Sequence, residues 1–265
     1  MTQLLVINPR AGTSAPNTET LVAAARERRI ETHVLRPGES PSDRARSTGD
    51  LSALGVAGGD GSLAAVASVA LERDVPFVCV PFGTRNHFAR DLGLDRDDPL
   101  SALAAFDGEE RRIDVGRVGE RLFLNNVSLG AYAGLVHRRE RHRRRRQALA
   151  GARALWRLVR THHSLHVKVD GRPLSARIVL VANNGYELDL FNVGARTSLT
   201  SGKLHLYAAR GWLPRSWREL VAEAFTVEGS APLSVAIDGE PVELPARLEF
   251  TVEPRALRVL LPPPR

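Results

Sequence analysis

The sequence predicts two domains, an α/β domain with a mainly parallel sheet followed by a mostly antiparallel β domain. Between Leu4 and about Val80, short apolar runs alternate with helix-like stretches, which is typical of α/β domains. After about Asp114, strand-like runs are separated by turns. With 265 residues and 43% hydrophobic content, the chain is long enough for two modest domains. We place the boundary near residue 115, which gives domains 1–115 and 116–265.

The elements of the first domain follow from its apolar periodicity. The runs LLVI, THVL, LGVAGG and FVCVP predict strands, and TLVAAARER and LAAVASVALER predict helices, with a further short helical segment before the third strand. Turn residues stand where three of these strands end, at Asn8-Pro9, Gly58-Gly59 and Pro81 to Gly83. Because ligands of open α/β sheets bind at the carboxyl ends of the strands, we expect these three turns to converge on one site.

The second domain is predicted from a series of strand-like runs, which are RLFLNNVSLG, SLHVKVDGRP, ARIVLVANNG, GKLHLYAAR, LSVAIDGEP, RLEFTVEP and LRVLLP. Helical patterns occur in two places only, in a basic stretch continuing into ALAGARALWRLVR, and in SWRELVAEAF. We therefore expect an antiparallel β domain that contains two helical stretches.

Charge is concentrated in one short segment. The net charge is +7, and the run His137 to Arg146, HRRERHRRRR, carries seven Arg and one Glu, or +6 of that total. Such a run is usually a solvated face, yet it also suits acidic lipid head groups or nucleic acid. The run contains no aromatic residue on which bases would stack, so we expect no specific nucleic-acid partner.

The start of the chain and its longest apolar runs indicate where in the cell the protein is expected. MTQLLVINPR lacks the charged n-region and long apolar stretch of a secretory signal. No apolar run approaches the roughly 20 residues that a membrane-spanning helix needs. These features predict a cytoplasmic protein whose membrane contact is peripheral. The single cysteine, Cys79, lies in VPFVCVPFG and is predicted to be a buried hydrophobe rather than a nucleophile.

The strongest local signal for chemistry is GVAGGDGSLAAV, where a strand ends in Gly58-Gly59-Asp60-Gly61-Ser62 and a helix begins. Glycines bring bare N–H groups against phosphate oxygens, and a helix N-terminus favours negative charge. Asp60 is an odd choice in such a loop unless a Mg²⁺ ion stands between carboxylate and phosphate. The alternative is a glycine-rich turn with Asp60 as the helix N-cap. The sequence contains no GxxxxGK[ST] string, which excludes a P-loop.

Several ordered motifs resemble one known family. NPRAG, GGDGS and PFGTRNHFAR, followed by RIDVG, FLNNVSLG, VKVDG and IDGE, are similar to the successive landmarks of the diacylglycerol kinase catalytic-domain family. That family includes bacterial lipid kinases and the sphingosine and ceramide kinases. The GGDG motif alone is weak evidence for this family because the related NAD kinases share it. The ordered set of motifs is strong evidence, since it covers nearly the whole chain.

The resemblance implies a Rossmann-like N-terminal nucleotide-binding domain of the NAD kinase and diacylglycerol kinase type, plus a C-terminal antiparallel β-sandwich domain. A cleft would hold ATP, Mg²⁺ and the hydroxyl of a lipid alcohol such as diacylglycerol. Asp60 would organise Mg-ATP, Asp114 would help set the polar network of the cleft, and Glu240 would accept the proton of the attacking hydroxyl. The implied nucleotide-binding residues are Asn8, Gly12, Gly58, Gly59, Gly61, Ser62, Gly83, Thr84 and Asn86.

The chain departs from the family pattern at four positions. Ser62 replaces a Thr, Arg85 a Gly and His87 an Asp, and Ser201 replaces the Asp through which some bacterial members bind a structural Mg²⁺. These departures leave open a nucleotide-binding pseudokinase, and a soluble-substrate kinase related to the NAD kinases is a second alternative. The expected partners are ATP, the lipid alcohol and an anionic membrane contacted through Arg138 to Arg146. A homodimer is left open.

Overall fold

The first part of the chain forms a parallel sheet with helices packed against it. The structure is a computed structural model that describes residues 2–11, 16–83, 86–130, 164–188, 193–209 and 217–263. Tertiary contacts divide the chain into two units. The first contains Met1–Val115, Leu199–Ser201 and Glu253–Arg265, and the second contains Gly116–Ser198 and Gly202–Val252. The first unit thus includes two segments that follow residue 115 in sequence.

The elements of the first unit alternate as the periodicity predicts. In chain order they are β1 (Thr2–Ile7), α1 (Thr18–Glu27), β2 (Glu31–Val34), α2 (Pro41–Ser47), β3 (Leu51–Gly58), α3 (Asp60–Glu72), β4 (Phe77–Pro81), α4 (His87–Asp91), a 3₁₀ helix (Ser101–Asp107) and the start of β5 (Glu109–Val118). Helix α1 begins where Asn17 Oδ1 accepts the N–H of Thr20 at 2.8 Å, a side-chain N-cap.

Strands β2, β1, β3 and β4 lie side by side in that order, and every neighbouring pair is parallel. The C-terminal part of strand β18 (Arg247–Leu261) adds a parallel neighbour to β4 through Val259 and Phe77. All four residues of the run LLVI in β1 are fully buried, as expected for a strand covered on both faces. The predicted α/β domain with a parallel sheet is confirmed.

The second unit is built from antiparallel strands. They are the end of β5, β6 (Arg121–Phe123), β7 (Asn126–Gly130), β8 (Leu165–Val169), β9 (Arg172–Ala176), β10 (Ile178–Asn183), β11 (Tyr186–Leu188), β12 (Val193–Arg196), β13 (Leu204–Ala209), β14 (Trp217–Ala222), β15 (Ala224–Glu228), β16 (Leu233–Ile237), β17 (Glu240–Leu244) and the start of β18. One sheet has the order β14-β13-β10-β7-β16-β17, and in the other the start of β18 is followed by β15, β8 and β9.

A single apolar core lies between these two sheets of the second unit. Val179 and Val181 of β10 contribute to it from one sheet, and Val167 of β8 and Phe250 of β18 contribute from the other. Phe123 meets Phe250 edge to face, with ring centroids 6.4 Å apart. Two antiparallel sheets that share one core form a β-sandwich, so this part of the predicted fold class is also confirmed.

The predicted helix over SWRELVAEAF is wrong. Its described residues form strands β14 and β15 instead, and β14 pairs with β13 from Trp217 opposite Ala209 to Ala222 opposite Leu204. Glu, Leu and Ala give this segment a helical propensity, but the ladder to β13 satisfies its backbone. Most side chains of β14 are exposed, so burial imposes no alternation by which the strand could be recognised.

Two further sequence-based expectations lie outside the described residues. These are the arginine run Arg138 to Arg146 and the helical pattern of ALAGARALWRLVR that follows it. Within the residues that are described, no helix is both long and apolar enough to span a membrane.

Candidate active site

The three turns singled out in the sequence all lie at one edge of the parallel sheet of the first unit. β1 ends at Ile7, β3 at Gly58 and β4 at Pro81, and the pairs Ile7–Ala57 and Gly58–Pro81 put these ends in register. The N–H of Asn8 donates to the Ala57 carbonyl at 2.9 Å. The carboxyl ends of three parallel strands therefore bring the turns together.

Two of the turns approach each other closely at Gly59 and Gly83. A Cβ atom built on Gly83 would lie 2.6 Å from the Gly59 Cα and 3.1 Å from its backbone nitrogen. A contact of 2.6 Å essentially never occurs for a real Cβ atom, so a side chain at position 83 would push the two turns apart. Glycine at this position thus lets the two turns pack against each other at the beginning of α3.

Asn8 links the first turn to the second. Its Nδ2 donates to Ser62 Oγ at 2.9 Å, while its Oδ1 accepts the N–H of Arg10 at 3.1 Å. A Cβ atom on Gly58 would lie 2.8 Å from the Cβ of Ser62, so Gly58 is also closely packed. Ser62, which stands where the family has Thr, keeps the hydroxyl that this contact uses.

Asn86 shapes the third turn. Its Oδ1 accepts the N–H of Gly83 at 2.9 Å, and its Nδ2 donates to the Gly83 carbonyl at 2.8 Å. The residue is 4% exposed and adopts a left-handed conformation with φ of 49°, which Asn tolerates better than most residues. The structure therefore places Asn86 as the support of the Gly83 turn.

Asp60 is the first residue of α3 and lies next to the third turn. Gly59, not Asp60, occupies the N-cap position, so the alternative interpretation of Asp60 as the N-cap is wrong. Its Oδ1 accepts the N–H of Phe88 in α4 at 3.3 Å, and the side chain is half-buried. A carboxylate thus stands at the helix N-terminus where the three turns meet.

Cys79 in β4 lies close enough to Asp60 for the charge of the carboxylate to affect the pKa of its thiol. Burial first, and then the negative charge of Asp60, raise the pKa of the Cys79 thiol well above its ordinary value. The residue is 1% exposed. A protonated, buried thiol is a poor nucleophile, and the prediction of a buried hydrophobe is confirmed.

Asp114 is 1% exposed and lies in β5 within the first unit. Its Oδ1 accepts the N–H of Arg255 at 2.8 Å, and its own N–H donates to the Leu199 carbonyl at 2.8 Å. Arg255 has φ of 51°, a conformation that is strained for a side chain of this type. Asp114 therefore fixes the backbone of two segments that return to the first unit from later in the chain.

Glu240 lies in the second unit, at the start of β17, and is exposed. It pairs with Ile237 across the two-residue turn Asp238-Gly239, in which φ is 45° and 86°. Two positive φ values match a type I′ hairpin turn, and Asp-Gly is one of its preferred sequences. The local sequence therefore determines the turn that precedes Glu240 and with it the position of Glu240 at the start of β17.

Asp238, two residues before Glu240, was given no role in the sequence analysis, although its carboxylate accepts three backbone N–H groups. Its carboxylate accepts N–H groups from Leu124, Asn125 and Asn126, at 2.7, 2.7 and 3.0 Å. The IDGE motif contained this residue, but nothing local in the sequence indicates that it bonds to a segment more than 110 positions earlier.

Two of the implied nucleotide-binding residues, Gly12 and Thr84, lie outside the described residues, as does Arg85. The remaining ones are brought together in the first unit, with Gly61 as the second residue of α3. Asp60 supplies a carboxylate, a ligand type that Mg²⁺ prefers, and Gly59 and Gly61 stand at the N-terminus of α3, where backbone N–H groups suit a phosphate. The described residues thus fit Mg²⁺ and a nucleotide phosphate.

Comparison with known proteins shows which family this chain resembles over its length. A family model described as the diacylglycerol kinase catalytic domain matches residues 2–118. A Pseudomonas aeruginosa protein named "Probable lipid kinase YegS-like" is 29% identical, over 98% of this chain and 94% of its own length. A protein of the same name from Pseudomonas syringae pv. syringae is 30% identical, over 77% of this chain and 74% of its own length.

A solved structure shares the fold at lower sequence identity. The crystal structure of a diacylglycerol kinase from Bacillus anthracis str. Sterne superposes with a TM-score of 0.68 at 17% identity. The match covers 98% of this chain and 96% of that one. At this identity the likeness concerns the fold alone.

Proposed function

We propose that this chain, which belongs to the diacylglycerol kinase catalytic-domain family, is a lipid kinase that transfers the γ-phosphoryl group of ATP to the hydroxyl of a lipid alcohol. The observation that carries the proposal is the close approach of Gly59 and Gly83 at the N-terminus of α3. Lipid alcohols such as diacylglycerol are the proposed acceptor class, because relatives that match over most of this chain are named probable lipid kinases.

The phosphates of ATP would be bound by the backbone at Gly58, Gly59 and Gly61, with Gly83 beside them near the nucleotide, where its own N–H is donated to Asn86. Amide groups in a tight turn and at a helix N-terminus point partial positive charge at an anion, and glycine lets the phosphate approach closely. The hydroxyl of Ser62, held by Asn8 at 2.9 Å, adds a polar contact on the same turn of helix. Asn86 would act on the nucleotide through Gly83, which it holds at 2.9 Å. Gly12 and Thr84 are also proposed to contact the nucleotide, and this part of the proposal rests on the resemblance of their motifs to those of the family.

Asp60 is the proposed Mg²⁺ ligand, at the first position of α3. When bound, Mg²⁺ neutralises the charge that develops on the transferring phosphoryl group. The chain's own contribution is to hold a carboxylate at the start of α3, where Phe88 N–H fixes one of its oxygens. Asp114 supports the site as a buried carboxylate that fixes the backbone at Arg255 at 2.8 Å.

Glu240 is the proposed general base, which accepts the proton of the lipid hydroxyl as that oxygen attacks the γ-phosphorus. A carboxylate suits this task because phosphoryl transfer needs a group that orients and deprotonates the nucleophile. The exposure of Glu240 on a hairpin of fixed type supports access to an acceptor. The atoms balance: the acceptor oxygen gains the phosphoryl group, ADP leaves, and the proton passes to the Glu240 carboxylate.

The arginine run Arg138 to Arg146 is proposed to bring the protein to anionic membrane, where a water-insoluble acceptor resides. The run supplies most of the net charge of +7. Each basic residue near an anionic surface contributes about 1 kcal/mol, so several acting together hold a protein peripherally.

A panel assay tests the proposed function. Labelled ATP and Mg²⁺ would be supplied with vesicles that contain diacylglycerol, sphingosine, ceramide or monoacylglycerol, and with NAD as a soluble acceptor. We expect label in at least one lipid and none in NAD. Label in NAD alone would indicate the soluble-substrate alternative, and nucleotide binding without any transfer would indicate a pseudokinase.

A further inference from the structure

The segment Leu124–Asn126, which joins β6 to β7 in the second unit, is held from its N–H side by one carboxylate. Asp238 Oδ2 accepts the N–H of Leu124 at 2.7 Å, and Oδ1 accepts those of Asn125 and Asn126 at 2.7 and 3.0 Å. The backbone N–H of Asp238 donates in return to the Asn126 carbonyl at 2.9 Å. Three successive amides therefore converge on a side chain that is 8% exposed.

The same segment is held from its carbonyl side by a guanidinium. Arg196 in β12 donates from Nη1 to the Leu124 carbonyl at 2.6 Å and from Nη2 to Asn125 Oδ1 at 3.2 Å. Arg196 is 8% exposed, and it also reaches the Asn183 carbonyl at 3.3 Å. The planar fork of Arg makes such simultaneous contacts, which a lysine ammonium cannot reproduce.

The two charges act on opposite sides of one short stretch of backbone. The peptide group between Leu124 and Asn125 donates its N–H to the anion and accepts from the cation at its carbonyl, so both charges polarise it in the same direction and strengthen both hydrogen bonds. Asp238 is separated from Glu240 by Gly239 alone. The position of the Glu240 hairpin is therefore coupled to Arg196 through Leu124 and Asn125.

A second hairpin of the same unit shows that the turn itself does not require these contacts. Asp170-Gly171 joins β8 to β9 with φ values of 49° and 77°, close to those of Asp238-Gly239. The Asp170 carboxylate accepts the N–H of Thr226 at 2.8 Å and is exposed to solvent. Since an exposed Asp forms the turn equally well, the buried, three-fold contact at Asp238 serves something beyond turn formation.

We propose that Asp238 and Arg196 are positioning residues for the Glu240 base: together with Leu124–Asn126 they set the direction in which the Glu240 carboxylate meets the acceptor. This inference rests on the proposed function, in which Glu240 accepts the proton. Asp238 and Arg196 contact backbone rather than reacting atoms, so they act through Glu240. Their loss affects turnover and leaves nucleotide affinity unchanged.

A double-mutant cycle on the full-length protein tests the coupling. Asp238→Asn keeps the shape but replaces an oxygen acceptor by a donor that faces the amides, so we expect kcat to fall by roughly tenfold or more with the Kd of Mg-ATP unchanged. In the Glu240→Gln background the same substitution should add little further loss, about threefold at most, because the group it positions is already gone. Asp170→Asn, in the matching hairpin, should leave kcat unchanged in both backgrounds.

The outcomes separate the inference from the function on which it rests. Losses that multiply in the double variant would overturn the positioning role while leaving Glu240 as the base. A Glu240→Gln variant with wild-type kcat would instead overturn the base assignment and the inference with it. Should Asp238→Asn fail to fold, Arg196→Lys replaces it in the cycle, with the same expected non-additivity.

A second readout needs no turnover. Amide hydrogen exchange followed by NMR should show faster exchange for Leu124, Asn125 and Asn126 in Asp238→Asn, and also for the Glu240 amide. Unchanged exchange at Glu240 would mean that its hairpin does not depend on Asp238, and the inference would fail even if the protein phosphorylates no lipid tested.

Discussion

A Cβ atom on Gly83 would lie 2.6 Å from the Cα of Gly59, which makes these two glycines the point where two separate turns touch. The contact joins the turn after β3 to the turn after β4, and Asn86 fixes it by bonding both the N–H and the carbonyl of Gly83. In the proposed enzyme this contact shapes the surface that receives the phosphates of ATP.

Gly83→Ala should therefore disrupt nucleotide binding. The added methyl group forces the Gly59 and Gly83 turns apart, and we expect the Kd for Mg-ATP to rise by about tenfold or more, which corresponds to roughly 1.4 kcal/mol. Gly49→Ala is the matched control, since a Cβ there has nothing within 4 Å. Calorimetric titration of both variants with Mg-ATP measures the difference, and equal affinities would remove Gly83 from the site.

Asp60→Asn should abolish phosphoryl transfer while the protein stays folded. The substitution removes the charge that would hold Mg²⁺ but keeps the side-chain shape and an oxygen that still accepts the Phe88 N–H, 3.3 Å away in the wild type. Asp74→Asn changes an exposed carboxylate of the same unit and should have wild-type turnover. Activity of Asp60→Asn within about tenfold of wild type would contradict the assigned role.

Glu240→Gln should lose turnover with little change in nucleotide affinity, because a general base acts on the acceptor rather than on ATP. Glu243→Gln alters an exposed glutamate of the same strand and serves as the control. Turnover and Mg-ATP affinity would be measured for both. If Glu240→Gln instead weakened Mg-ATP binding by a large factor, the residue would belong to the nucleotide or metal site.

The sequence predicted the first unit well because β1, β3 and β4 are largely buried on both faces and each ends in, or is closely followed by, glycine or proline. Runs such as LLVI are recognisable without tertiary information, and parallel strands bring their carboxyl ends to one edge regardless of side-chain detail. Asn8, Gly59 and Gly83 could therefore be assigned to one site before the structure was known. Their hydrogen bonds, including that of Asn8 to Ser62, could not, because they join positions 54 residues apart.

The second unit was less predictable, and for a physical reason. Edge strand β14 exposes most of its side chains, so its residue pattern records helical propensity rather than its pairing with β13. Arg196 and Asp238 are charged residues, which are usually exposed, and nothing adjacent in sequence marks either as buried. Their partners come from Leu124–Asn126, so only the fold reveals them.

The ion pair between Arg258 and Glu110 gives the first unit a pH-dependent contribution to stability. The hydrogen bond from Arg258, 2.7 Å from Glu110 Oε2, is the main cause that lowers the pKa of Glu110 below its ordinary value of 4.5. A carboxyl with a lowered pKa stabilises the fold above its ordinary pKa, and this contribution is lost as pH falls through the lowered value. Glu110→Gln should therefore reduce the free energy of unfolding at pH 7, by about 1 kcal/mol or less for a partly exposed pair.

Urea unfolding of wild type and Glu110→Gln at pH 7 and at about pH 3.5 measures this contribution. The difference between the two proteins should shrink at the lower pH. A difference that is equal at both pH values would show that the pair contributes through packing rather than charge.

Replacing Arg143 to Arg146 with glutamine should weaken binding to anionic vesicles. Four positive charges are removed from the run, and the remaining attraction should fall steeply as salt rises. Turnover of vesicle-borne lipid should slow, whereas a short-chain soluble acceptor should be phosphorylated at the wild-type rate. A control with the same charge change replaces Arg26, Arg28, Arg29 and Arg36, all exposed in the first unit. Equal vesicle binding by the two variants at low salt would rule out a special role for the run.

Transfer of label from γ-labelled ATP into extracted lipid tests the central claim most directly. Wild-type protein and Asp60→Asn would be incubated at equal folded concentration with Mg²⁺ and mixed vesicles that contain lipid alcohols. The account predicts labelled phospholipid in the organic phase with the wild type, none without Mg²⁺, and none with Asp60→Asn. No label in lipid from a folded wild-type protein that binds Mg-ATP, or equal label from Asp60→Asn, would contradict it.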